Sequence, residues 1–177
     1  MPKKNTSRTL WEQHIQRIQS PKRSVTEKHA TDSIIEELPA WFSEHKVIYD
    51  FELDDATPSN NVIKNCHFFK YKEMRANFRK ALSVQLLAYR PLPRVLPLSG
   101  LIVVRYSAGA LDWDNAAGGL KPLQDCLVRP SSRNPDGLGL IEDDNPKCMP
   151  YQPCILQRKA EASKGKTRLM ILDLSTP

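Results

Sequence analysis

The feature that most restricts the fold is a change of hydrophobic period near residue 46. In "KVIYDFEL", Val47, Tyr49, Phe51 and Leu53 alternate with Lys46, Asp50 and Glu52, and Ile48 alone breaks the pattern. A period of two belongs to a half-buried strand. The later "FKYKEMRANFRKALSVQLLAY" instead sets Met74, Phe78, Ala81, Leu82, Leu86 and Tyr89 on one helical face, the 3.6 period of an amphipathic helix. "LIVVRYS" returns to a short run rich in β-branched residues, and "YQPCILQRKA" and "TRLMILDL", on either side of "EASKGK", read as two more strands joined in a hairpin. Strand, helix, strand, short helix and two strands predict an α/β domain with a small mixed sheet packed by helices. A chain of 177 residues suits one such domain, residues 46–177, with an appendage.

That appendage, residues 1–45, is a basic, helical arm. "PKKNTSR" is polar and positive, and "TLWEQHIQRIQS" follows it with Thr9 as an N-cap, Glu12 three positions on, and Leu10, Trp11, Ile15 and Ile18 at helical spacing. "TDSIIEEL" adds a second short helical stretch before Pro39. Such an arm binds DNA or a partner, packs on its own domain, or frays.

Charge narrows the partners. The formal net charge is +6 with a pI near 9.2, which favours an anionic partner, nucleic acid first. On the long helix Lys72, Arg75 and Arg79 lie opposite the apolar face; Lys159, Lys164, Lys166 and Arg168 cluster in the last two strands and their connection. The helix group reads either as a solvated face or as a track for phosphates, and the second group as contacts to backbone phosphates without base reading. The run of apolar residues that a membrane span needs is absent. Cys66, Cys126, Cys148 and Cys154 form no CxxC pair and no apolar leader opens the chain, so reduced thiols and a cytoplasmic location are expected. A zinc site from Cys66, His67, Cys148 and Cys154 has unsuitable spacing, and small buried hydrophobes are the better reading of the cysteines.

The stretch "LDWDNAAGGLKPLQDCL", residues 111–127, follows the strand "LIVVRYS" directly. If the backbone there is extended, Asp112 and Asp114 share one face, about 6.5 to 7 Å apart along the chain. An acidic group from "LIEDDNP" would make three converging carboxylates. Two charges about 4 Å apart repel by about 4 kcal/mol at an effective dielectric of about 20, unless a proton or a cation enters. Carboxylate oxygen is what Mg²⁺ prefers, and such an ion can activate water beside a phosphate. The competing reading is structural: Asp112 caps a turn, Asn115 caps the next helix, and Asp143 and Asp144 form a solvated turn before Pro146.

Four pieces in order carry a resemblance: "PSNN" after a strand, "DWDN" after another, Lys121 in "LKPLQDCL", and "GLIEDD" before the last two strands. Together, over residues 47 to 174, they resemble the RusA family of Holliday-junction resolvases. The resemblance implies a RusA-like fold and a divalent ion, Mg²⁺ with Mn²⁺ as substitute, held by Asp112, Asp114 and Asp144. It makes Lys121, four residues before Asp125, the essential lysine, matches Asn115 to the motif asparagine, and leaves Asp143 a supporting residue. It further implies a homodimer acting on four-way junctions. Asn115 and Lys121 stand six apart here, with "AAGG" between them, further than in the family's usual form, and Pro122 sets Lys121 at a helix start. The function expected is a Mg²⁺-dependent endodeoxyribonuclease for Holliday junctions or other branched DNA, flaps and forks included. The alternative is a DNA-binding or assembly protein of the same fold without the chemistry.

Overall fold

The structure, a computed structural model, describes residues 38–89, 93–160 and 165–175. The expected helices of residues 9–18 and 31–37, and Lys164, lie outside the described residues.

Four strands form one mixed sheet: β1 (Lys46–Leu53), β2 (Ser99–Ser107), β3 (Cys154–Lys159) and β4 (Lys166–Asp173), in the order β1-β4-β2-β3. Helices α1 (Asn60–Asn65) and α2 (Phe68–Leu86) connect β1 to β2, and α3 (Trp113–Gly119) and α4 (Lys121–Leu127) lie between β2 and β3. The α/β class with a mixed sheet is as the sequence predicts. In β1 the alternation translates directly into burial: Tyr49, Phe51 and Leu53 are buried while Asp50 and Glu52 are exposed. Ile48 falls where the β1–β4 register shifts, and a bulge of this kind resets the side-chain alternation.

The expected hairpin is not formed. β3 and β4 are separated by β2, which pairs β3 in parallel and β4 antiparallel. The sequence shows a short connection between two strand-like segments, but it cannot show that the apolar β2, buried along most of its length, takes the central place between them. At its end Ala160 N–H donates to Ser107 O, and Gly165 lies so close to the Tyr106 carbonyl and Ala56 that a side chain there would collide with them.

One face of the sheet packs against the helices. Tyr49, Phe51, Leu101, Val103, Leu169 and Ile171 meet Phe78 and Leu82 of α2 and Leu123 and Leu127 of α4 in one core. Burying groups of this size stabilises by about 1.5–3 kcal/mol each. On the other face Ile102, Val104, Met170 and Leu172 are buried too. The ring of Trp41 fills the space where Gly100 has no side chain and stacks on Tyr151 at 5.0 Å.

Candidate active site

β2 and β3 run in parallel and end together, with Ser107 opposite Lys159, while Lys166 of β4 pairs with Tyr106. Beyond the carboxyl ends of parallel strands is where α/β sheets commonly bind ligands. At this end Gln157 fixes the chain leaving β2: its amide donates to Leu111 O at 2.8 Å and its carbonyl accepts from Leu111 N at 2.7 Å.

From there the chain does not stay extended. Asp112 takes the N-cap position of α3, with φ −60° and ψ 155°, and Asp114 lies in its first turn. The shared strand face expected for the two aspartates is therefore replaced by a helix start, behind which Ala116, Gly119 and Leu120 are buried. An acidic residue in the first turn suits the helix dipole. The Asp112 carboxylate, however, makes no side-chain cap bond, and among the described residues only the Asn115 amide approaches it, at 3.5 Å. Asn115 Oδ1 is buried without a partner among the described residues. Trp113, between the two aspartates, is 73% exposed.

The two glycines of "AAGG" have a packing role. A Cβ on Gly118 would collide with the Asn60 side chain, and one on Gly119 with the Pro58 carbonyl oxygen. The segment separating Asn115 from Lys121 is thus what lets α3 pack on α1 and on "PSNN". There Ser59 accepts from Val62 N at 3.3 Å and caps α1, so Asn60 and Asn61 are helical.

Lys121 is the first residue of α4, with Pro122 in the first turn, a position that tolerates proline. Its ammonium donates to Asp144 Oδ2 at 2.7 Å and lies 2.9 Å from Asp125 Oδ1. Tyr71 on α2 donates to the other oxygen of Asp125 at 2.7 Å. Asp143 accepts from Asp144 N at 2.8 Å and from the Asn145 amide at 2.6 Å, so it shapes the turn that presents Asp144. Burial alone would lower the pKa of Lys121; the bonds to Asp144 and Asp125 outweigh it and the net shift is upward. Burial pushes the Tyr71 phenol up, with its bond to Asp125 adding to the effect.

Among the described residues no three His, Cys, Asp or Glu side chains come together as a group able to hold a metal ion. An ammonium already neutralises Asp144, and Asp112 and Asp114 supply only two carboxylates. The arrangement does not fit a magnesium site of three carboxylates.

The basic track is also altered. Arg75 donates to Asn134 and is thereby turned to the 129–139 loop, whereas Arg79, 3.8 Å from Asp136, keeps an exposed side chain. Lys72 stands over the Phe68 ring at 4.5 Å. Arg168 makes a bidentate pair with Asp50 at 2.9 and 2.7 Å; such forks are the geometry of strong pairing. Lys159 and Lys166 are exposed.

Three contributors escape sequence reasoning. Arg105, only 9% exposed on β2, donates from Nε to Thr57 O at 3.0 Å, to Ser107 Oγ and to Gly109 O at 3.2 Å. It ties the "PSNN" approach to the exit of β2. Its signal was a charge inside an apolar strand. Tyr71 and Asn134, whose amide donates to Asp125 O at 2.6 Å, leave no local signal, since both act on a residue more than eight positions away.

No protein-family model matches the sequence, and no curated protein matches it.

Proposed function

We propose that the chain is a structure-selective endodeoxyribonuclease of the RusA type, hydrolysing phosphodiester bonds in four-way or otherwise branched DNA. The observation that carries this reading is the bond between Lys121 and Asp144. Two sequence motifs 23 positions apart, which the resemblance assigns to one site, are joined by a direct hydrogen bond. An Asp112 carboxylate at a helix start that makes no cap bond, and is met among the described residues by the Asn115 amide at 3.5 Å, is a further support.

In this reading the ammonium of Lys121 stabilises charge on the phosphoryl oxygens, and Asp125, held by Tyr71, keeps the lysine in place. Asp112 and Asp114 are the carboxylates available to the attacking water, while Asp144 is bonded to Lys121. Magnesium enters through the resemblance alone; with Asp144 bonded to Lys121, nothing in the arrangement gives the ion a step. Lys72, Lys159 and Lys166 would contact backbone phosphates without reading bases. A two-fold homodimer matches a junction cut at two related strands.

The test is a labelled four-way junction incubated with Mg²⁺ and either the wild type or Asp114→Asn. Cutting by the wild type and binding without cutting by the variant are expected. Binding without cutting by the wild type defeats the proposal. That outcome would favour the second reading, a DNA-binding or assembly protein, for which the dispersed carboxylates are the specific observation. Faster cutting of flaps or forks than of junctions would make those the substrate.

A further inference from the structure

Where α1 meets α2 the sequence reads "CHFFKYK", and the two phenylalanines stay in solvent. Phe68 is 61% and Phe69 72% exposed, although both sit in the first turn of a helix whose other face supplies the core. Their ring centroids are 6.1 Å apart with planes tilted by 58°. The His67 ring lies along Phe69 at 5.3 Å and 23°, which lengthens the aromatic surface. Lys72 stands over the Phe68 ring, and Lys64 on α1 is exposed beside the same helix junction.

The composition of this patch selects the occupant. The core of an interface between protein copies is depleted in lysine, whereas here lysines interleave the rings. Aromatic faces framed by ammonium groups match a nucleic-acid strand, whose bases stack on rings while its phosphates meet the charges. In an intact duplex the base faces are covered by one another, so the matching ligand has unpaired bases. The patch shares α2 with Tyr71, three residues after Phe68, which donates to Asp125 of the candidate site at 2.7 Å.

We propose that His67, Phe68 and Phe69 form a stacking platform for unpaired bases, with Lys64 and Lys72 on the flanking phosphates. It rests on the nuclease reading only in supplying the substrate class, a branched DNA with a single-stranded segment. Its test reads binding rather than cleavage.

Fluorescence anisotropy of a labelled thymidine oligonucleotide, without added metal, is measured against the full chain. The wild type is expected to bind the oligonucleotide more tightly than a duplex of equal length. Phe69→Leu, which keeps an apolar side chain but removes the ring face, should weaken oligonucleotide binding by about 5- to 150-fold. Phe69→Trp should restore it, with its fluorescence quenched on binding, and Lys72→Met should lower the salt slope by about 0.7. Thermal melts of the variants establish that each is folded. Unchanged affinity in folded Phe69→Leu overturns the proposal, as does unchanged affinity accompanied by loss of self-association in sedimentation, which would make a second copy the occupant. A ring-dependent affinity in a protein that cuts no junction would leave the platform standing and remove the nuclease reading. Cleavage with no ring dependence of binding would do the reverse.

Discussion

Lys121 Nζ stands 2.7 Å from Asp144 Oδ2 and 2.9 Å from Asp125 Oδ1, so one ammonium joins the start of α4 to a turn 23 residues later. The Asp125 bond is an i,i+4 pair within a helix, which alone contributes a few tenths of a kcal/mol. The Asp144 bond is the one that sequence proximity cannot supply. Because the net pKa shift of Lys121 is upward, its contribution to stability is complete below the ordinary lysine value and is lost only as pH rises through the raised one. The side chain stays charged throughout the neutral range.

Lys121→Met separates the two roles of that ammonium. Junction cleavage should fall by about 10²- to 10³-fold, the usual effect of removing one group that stabilises developing charge. Calorimetric uptake of Mn²⁺ should be measurable in the variant and weaker or absent in the wild type, because only in the variant is Asp144 without a bonded cation beside it. If uptake is unchanged, Asp144 takes no part in holding the ion.

The packing of α3 against "PSNN" gives a sharper structural test. Gly119→Ala should destabilise by about 1–3 kcal/mol despite the better helix propensity of alanine, because the new methyl meets a backbone carbonyl that cannot move aside as a side chain would. Gly109→Ala, with nothing within 4 Å of its added Cβ, should change stability by less than about 0.5 kcal/mol. Urea titrations of the two variants make the comparison, and equal midpoints would contradict the close approach of α3 to Pro58.

Much of the fold was legible because burial in β1 alternates from Tyr49 to Leu53 and the long helix keeps one apolar face. Tyr49, Phe51 and Leu53 mark a strand whatever their partners are. Strand order was not legible: the pairing of β2 with both β3 and β4 depends on how apolar each segment is on two faces, and "EASKGK" imitates a hairpin connection. At the site, residue types were readable and conformation was not. Asp112 and Asp114 have the same spacing on a strand as at a helix start; the choice between them is made by Ala116, Gly119 and Leu120 packing behind. The tie from Tyr71 to Asp125 spans 54 residues, and no local pattern encodes such a distance.

Arg105 is the link whose loss should reach both motifs at once. Arg105→Met keeps the apolar stem and removes the donors to Thr57, Ser107 and Gly109. Leaving the buried Thr57 carbonyl without this partner should cost about 1–3 kcal/mol. Hydrogen exchange should accelerate in residues 55–60 and 107–112 together. Faster exchange in only one of the two segments would mean that the arginine does not couple them.

Asp173, at the far end of the sheet from Asp112, allows global stability to be varied apart from the site. Ser99, its partner on β2, begins the strand that ends at Ser107. The Asp173 carboxylate accepts from Ser175 N at 2.9 Å and Ser175 Oγ at 2.6 Å and from Arg94 at 2.7 Å. Burial alone would raise its pKa; the Ser175 bonds and the charge of Arg94 outweigh this, and the net shift is downward. A folded-state pKa below the unfolded one contributes stability at pH values above the unfolded carboxylate value, about 3.9, and that contribution is lost as pH falls through the folded value. Asp173→Asn should therefore lower stability at pH 7 by about 1–3 kcal/mol, with the gap to the wild type narrowing toward pH 3, while leaving junction cleavage at 25 °C unchanged. Urea unfolding at the two pH values measures the gap; an equal gap at both would mean that the charge of Asp173 is not what stabilises the fold.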